Sequence, residues 1–197
     1  MLVIALTGNP SSGKTSVLKL LKKKGALVFD ADKNIHDYYR NKKSPVYKKV
    51  VKAFPESLSG SRICRRKLAK IVFSDHRELA KLEKIVHPVV IRDMLDWVSL
   101  GRRQAKKVLV AEIPLLFEKK LQAHFDIIIL VKLKPAQYRR RLNKLYGSNK
   151  GLALKRLGLM KSLGEKIKGV DFVIDNSENI NQLKKEVDSL WKKLKEK

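Results

Sequence analysis

Five short apolar runs rich in β-branched residues, at positions 3–6, 26–29, 108–111, 127–131 and 170–174, punctuate the chain, with segments of helical spacing between them. No other feature narrows the possible folds as far. A strand buried on both faces reads as a continuous apolar run, and parallel neighbours need a long, usually helical crossover to bring the chain back to the same edge. The pattern predicts an α/β fold: a central, mostly parallel five-stranded sheet with helices on both faces. At 197 residues the chain suffices for a single domain with a real core and a smaller inserted unit.

Directly after the first run stands Gly8-Asn9-Pro10-Ser11-Ser12-Gly13-Lys14-Thr15, which fits G-x-x-x-x-G-K-[ST] in full and leads into a helical segment. The glycines let the backbone curl so that successive N–H groups face inward, and the helix amino terminus adds positive potential. Lys14 would reach the β- and γ-phosphates, and the Thr15 hydroxyl would bind Mg²⁺. ATP and Mg²⁺ are the implied ligands, with Gly8, Asn9, Pro10, Ser11, Ser12, Gly13, Lys14, Thr15 and Ser16 forming the ATP cradle.

A phosphate cradle names the donor and leaves the acceptor open. Carboxylates at the carboxyl ends of sheet strands are the candidates for handling an acceptor hydroxyl. Asp30-Ala31-Asp32 ends the second run and Glu112 the third. Asp30 and Asp32 would share a side if the strand persisted, and Asp32 has a competing reading as the N-cap of a helix starting at Lys33. Glu112 occupies the place of the acidic strand end that holds Mg²⁺ directly or through water. His87, before Pro88, reads either as a structural residue or as a ligand or base; His36, His76 and His124 read as structural, and no His/Cys/Asp set has zinc spacing.

The stretch between the second and third runs contains no convincing strand and reads as a helical insertion over residues 33–103, with helix starts at Ser44-Pro45 and Ser74-Asp75. Pro88 suits the first position of a separate helix running to Leu100. Residues 139–168 form a second basic helical region, broken at Tyr146-Gly147-Ser148-Asn149, that would serve as a lid. A last helix, 179–195, carries Ile180, Leu183, Val187, Leu190 and Leu194 at core-facing spacing.

With 45 Lys plus Arg against 19 Asp plus Glu, the formal charge is +26, so anionic partners are favoured. The basic runs at 22–24, 65–67, 139–141 and 192–193 fall within helical segments and read as solvated faces; without aromatic interleaving or zinc knuckles, non-specific association with nucleic acid is allowed and specific binding is not expected. Cys64 alone cannot form an internal disulfide, no stretch approaches a membrane span, and no basic leader precedes the first run. A cytoplasmic protein is the expectation.

Taken in order, the cradle, "DAD" at 30–32, "KLAKIVFSD" at 67–75, "LEKIVHP" at 82–88, "EIPLLFE" at 112–118 and "DFVIDNS" at 171–177 resemble the dephospho-CoA kinases nearly end to end. That resemblance implies a P-loop kinase domain over 1–197, with 33–103 binding the acceptor. The implied reaction is ATP-dependent phosphorylation of the 3′-hydroxyl of the adenosine ribose of dephospho-CoA, the last step of coenzyme A biosynthesis. It makes Asp32 the base, with Lys14 and Arg140 as its catalytic partners, and places Asn176 near the adenine. Thr7, Asp32, His87, Arg92, Pro114, Leu115 and Leu116 become acceptor contacts, Thr15 and Glu112 metal contacts, and Arg140 and Arg156 lid arginines. The chain departs from the family in reading Asn9-Pro10-Ser11 for Gly-Ile-Gly, Lys144-Leu145 for Arg-Asp and Met160-Lys161 for Gln-Met. A nucleoside or nucleotide kinase of the same build, and a basic nucleic-acid-binding ATPase, are the rival readings; a monomer is expected.

Overall fold

Residues 1–146 and 163–196 are described by the computed structural model, which leaves Arg156, the 147–149 break and Met160-Lys161 outside the described residues. The described strands are β1 (Leu2–Thr7), β2 (Leu27–Asp30), β3 (Leu58–Ser59), β4 (Arg62–Ile63), β5 (Val108–Glu112), β6 (Ile127–Lys132) and β7 (Phe172–Asp175). The helices are α1 (Lys14–Lys23), α2 (Ala31–Arg40), α3 (Pro45–Ala53), α4 (Arg65–Ser74), α5 (His76–Arg103), α6 (Pro135–Tyr146), α7 (Leu163–Ile167) and α8 (Ile180–Lys195). They form two compact units, Met1–Asp30 with Trp97–Lys197, and Ala31–Asp96.

The first unit holds the five-stranded sheet, in the order β2-β5-β1-β6-β7, and every pairing is parallel. Leu6 and Asp30 both stand opposite Glu112, so the second and third runs end side by side at the carboxyl edge. From β1 the chain passes outward to β2 and later to β6 on the other side, which makes the carboxyl end of β1 the switch point where ligands bind in such sheets. The core joins Ile4, Leu6, Val110 and Ile129 of the strands to Val17 and Leu21 of α1 and Leu183, Val187, Leu190 and Leu194 of α8. Ile180, expected in that stripe, is 54% exposed, because it lies in the first turn, beyond the packed part of the helix; Trp191 fills the face instead. Strand β7 starts at Phe172 rather than Val170, where pairing is opened by the Asp171 carboxylate accepting from the Ile128 N–H at 2.8 Å.

In the Ala31–Asp96 unit, Val46, Val50, Phe54, Leu68, Val72 and Val86 form a separate core. Ser44 caps α3, its hydroxyl accepting from the Tyr47 N–H at 2.9 Å. The start expected at Ser74-Asp75 falls on Asp75, whose carboxylate accepts from the Arg77 N–H at 2.8 Å, while Ser74 ends α4. Two expectations fail. An antiparallel hairpin, Leu58 opposite Ile63 and Ser59 opposite Arg62, lies within the stretch read as strandless; strands of two residues are too short to show a period. Pro88 does not begin a helix but sits inside the 28-residue α5. The helix continues through it because Leu82, Ile85, Val86 and Val89 pack on the same core from both sides of the proline, which offsets one missing N–H. No helix among the described residues is long and apolar enough to cross a membrane.

Candidate active site

Between the end of β1 and the start of α1, the loop is shaped by three residues in left-handed or related conformations: Gly8 at φ 145°, Ser11 at φ 64° and Gly13 at φ 96°. The glycines are demanded by close approach as well as by dihedral. A Cβ on Gly8 would lie 2.3 Å from the Val131 carbonyl oxygen, and one on Gly13 would lie 2.0 Å from Asn176 Nδ2.

Side chains hold the loop through its carbonyls. Lys14 Nζ donates to Gly8 O at 3.0 Å and Asn9 O at 3.1 Å, and Asn176 Nδ2 donates to Ser12 O at 2.8 Å. Arg141 reaches Ser11 O at 3.4 Å and Asn176 O at 3.1 Å. The buried Ser12 hydroxyl and Asn9 Oδ1 have no hydrogen-bond partner among the described residues. A buried hydroxyl donor beside a lysine and a helix amino terminus fits a bound phosphate.

Thr15 Oγ1 donates toward Glu112, at 3.1 Å from Oε2 and 3.3 Å from Oε1. Glu112 is buried and Thr15 exposed, so a fixed carboxylate backs an accessible hydroxyl. Hard oxygen donors of this kind suit Mg²⁺. Among the described residues no group of three or more His, Cys, Asp or Glu could hold a metal, so the cation would depend on phosphate oxygens and water as well as on this pair.

The other predicted residues distribute as follows. Ser16 is exposed in the first turn of α1, Asn9, Pro10 and Ser11 are half-buried, and Thr7 Oγ1 stands 3.5 Å from Pro114 O. Pro114 and Leu115 are half-buried and Leu116 fully buried, so Leu116 belongs to the core rather than to a contact surface. Arg140 is exposed on α6, whereas the adjacent Arg141 turns inward to the loop. Sequence reasoning passed over Arg141; the signal was its place one turn after Gln137 and Tyr138 on the inward side of that helix.

In the Ala31–Asp96 unit, Asp32 is half-buried in the first turn of α2, two residues past the end of β2. The helix starts at Ala31, so Asp32 is not its N-cap, and strand alternation does not relate it to Asp30. A carboxylate there is favoured by the helix dipole. It also acts on Tyr39, whose hydroxyl is pushed up to about 12 by burial, with the Arg65 charge opposing and the Asp32 charge adding. His87 is half-buried in mid α5. Arg92 joins a polar cluster centred on Asp93, which accepts from Tyr38 Oη at 2.7 Å, Asn34 Nδ2 at 3.0 Å and Arg92 Nη2 at 3.1 Å. Burial works to raise the Asp93 pKa, but these three donors and the Arg92 charge overcome it and hold the carboxyl below its ordinary value.

A family model described as dephospho-CoA kinase matches residues 2–182. The chain belongs to the dephospho-CoA kinase family. A dephospho-CoA kinase from Syntrophus aciditrophicus is 34% identical over 199 residues, spanning 98% of this chain and 83% of its own length. A crystal structure from Thermus thermophilus superposes with a TM-score of 0.80 at 32% identity, covering 98% of this chain and 97% of that one. The dephospho-CoA kinase from Campylobacter jejuni shares the fold, with a TM-score of 0.69 at 22% identity over 98% of this chain and 96% of the other. In this dephospho-CoA kinase family member the loop runs between two glycines of positive φ, Gly8 and Gly13, and takes a left-handed conformation at Ser11.

Proposed function

We propose that the protein transfers the γ-phosphoryl group of ATP to the 3′-hydroxyl of the adenosine ribose of dephospho-CoA, giving coenzyme A and ADP. The observation that carries this reading is a complete phosphate loop with its Thr15–Glu112 pair, in a chain that matches the family from residue 2 to residue 182. The loop amides from Gly8 to Ser16 and the Lys14 ammonium hold the triphosphate, with Lys14 exchanging the Gly8 and Asn9 carbonyls for phosphate oxygens. Asn176 lies near the adenine. Thr15, backed by Glu112, would hold Mg²⁺, which would supply charge neutralisation to the phosphates.

Asp32 takes the proton from the ribose hydroxyl as its oxygen bonds to the γ-phosphorus, and the bond to the β-phosphate oxygen breaks to release ADP. Arg140 supplies positive charge to the transferring group, while Arg141 holds the loop through the Ser11 and Asn176 carbonyls. The insertion over residues 33–103 binds the acceptor, with Thr7, His87, Arg92, Pro114 and Leu115 among its contacts, and 139–168 act as a lid that keeps water from the γ-phosphate. Little covalent chemistry falls to the protein, so positioning and charge stabilisation provide most of the rate. We assign it to the cytoplasm as a monomer, where a lone thiol such as Cys64 stays reduced.

The test is mass-spectrometric detection of coenzyme A after incubation with ATP, Mg²⁺ and dephospho-CoA. Lys14→Ala is expected to lower turnover by about 10²–10³-fold, and Asp32→Asn by about 10²–10⁴-fold. A folded parent protein that makes no coenzyme A overturns the reading, and ATP turnover stimulated by RNA would favour a nucleic-acid-dependent ATPase.

A further inference from the structure

A cavity of about 590 Å³ opens within the Ala31–Asp96 unit, between α2, the start of α3, the β3–β4 hairpin and the first residue of α4. Arg40, Lys42, Arg62, Arg65 and His36 line it, and no acidic side chain does so among the described lining residues. Its wall is built rather than accidental. Lys42 Nζ donates to Ser61 Oγ at 2.6 Å, and the Tyr47 hydroxyl donates to Ser61 O at 2.6 Å, fastening the hairpin turn to both neighbouring segments.

Arg40 faces Asp37 at 3.7 Å, but both side chains are more than half exposed, and such a pair is weak and screened, so it takes little from the positive charge of the cavity. Positive charge gathered on a concave surface focuses potential and concentrates an anion there. Guanidinium groups in particular match phosphate oxygens with paired donors.

What ties the cavity to the reaction is Tyr39. Its ring lines the wall, 6.4 Å from the His36 ring, and its hydroxyl feels both the Arg65 charge and the Asp32 charge. A tyrosine hydroxyl is protonated at neutral pH, so it can donate to an anion in the cavity. The base and the basic cavity are therefore neighbours within one compact unit. The acceptor has the matching layout: its diphosphate is attached at the 5′ position of the same ribose whose 3′-hydroxyl is phosphorylated.

We propose that this cavity is the subsite for the diphosphate bridge of the acceptor, with Lys42, Arg62 and Arg65 as its main anion contacts and Tyr39 spanning from the bridge to Asp32. The assignment rests on dephospho-CoA being the acceptor. It gives the protein a means of distinguishing that acceptor from adenosine, which has the reacting hydroxyl and lacks the bridge.

The experiment is calorimetric titration of the full chain, presaturated with ADP and Mg²⁺ so that the phosphate loop is filled. Three titrants are compared: dephospho-CoA, ADP-ribose as another diphosphate diester, and adenosine. In the parent, both diphosphates bind more tightly than adenosine. The Lys42→Met/Arg62→Met double variant and Arg65→Met, all at exposed positions, weaken both diphosphates by about 10- to 100-fold, the loss of one to two tenfold steps expected when charged hydrogen bonds are removed. Adenosine binding stays the same in these variants, and circular dichroism confirms folding. Lys84→Met, an exposed charge change on the same unit outside the cavity, leaves all three titrations at parent values.

Diphosphate affinity retained in the double variant overturns the proposal, as does an equal loss in Lys84→Met, which would indicate a general field rather than a site. If the parent makes no coenzyme A yet loses ADP-ribose binding in the cavity variants, the anion subsite stands and the acceptor assignment alone fails.

Discussion

Replacing Gly13 with alanine probes how the phosphate loop is built. Gly13 precedes α1 at φ 96°, ψ 20°, where a side chain costs about 1–3 kcal/mol. The added methyl would lie 2.0 Å from Asn176 Nδ2, and Asn176 is only 6% exposed, so it cannot swing away without giving up its 2.8 Å bond to Ser12 O. Leaving that buried amide and carbonyl unpaired adds about 1–3 kcal/mol, for a total of about 2–6 kcal/mol. Asn176→Ala alone loses the hydrogen bond but clears the space the methyl needs. The two changes therefore overlap, and the double variant is expected to be less destabilised than the sum of the singles by about 1–3 kcal/mol. Urea unfolding midpoints of the four proteins measure this coupling. Single-variant losses that add to within about 0.5 kcal/mol would refute the claim that Gly13 is required by contact with Asn176.

Further outcomes follow from the same geometry. Arg141→Met loses the contacts to Ser11 O and Asn176 O and is expected to raise KM for ATP by about 10-fold or more, more than Arg140→Met does; steady-state kinetics with ATP varied decides, and the reverse order would return the role to Arg140. Ser11→Gly relieves a left-handed residue and is expected to stabilise the protein by about 1 kcal/mol, read as a higher Tm, because φ 64° costs glycine nothing. Asp93, held below its ordinary value of 3.8, contributes stability that is fully present above that pH and is lost as pH falls through the folded pKa. The stability gap between parent and Asp93→Asn, followed by unfolding across acid pH, is expected to narrow in that window; a gap independent of pH would remove the ionised carboxylate from the argument.

The sheet was legible in sequence because its strands are buried on both faces, so five apolar runs announced five strands to within a residue or two. The loop was legible because its spacing is fixed by backbone curvature, which is why Gly8, Gly13, Lys14 and Thr15 were identifiable before their contacts were known. What escaped depends on direction and on tertiary compensation. Arg140 and Arg141 are adjacent and chemically identical, and only the azimuth around α6 decides which one meets the loop. Pro88 carried a sound local signal for a helix start, overridden by packing on both sides of it. Leu116 shared a motif with Pro114 and Leu115, yet one position of offset put it in the core. The Asp93 cluster drew its members from α2 and α5, far apart in sequence, and nothing in either segment advertised the pairing.

The contacts around the loop divide into those that ATP would replace and those it would leave. Lys14 is in the first group, since it donates to the neutral carbonyls of Gly8 and Asn9 and a triphosphate offers full negative charge in their place. Releasing it does not strand Asn9 O, which also accepts from the Ser12 N–H at 3.1 Å. Asn176 and Arg141 are in the second group, bound to the carbonyls of Ser12 and Ser11. Because a trans peptide carries its N–H opposite its carbonyl, fixing Ser12 O against Asn176 also fixes where the Gly13 N–H points. The loop's curvature is thereby set by residues that need not touch phosphate, while Lys14 is left to move. An arrangement of this kind lets nucleotide binding proceed with little ordering of the backbone, so the binding free energy is available for holding the phosphates in line.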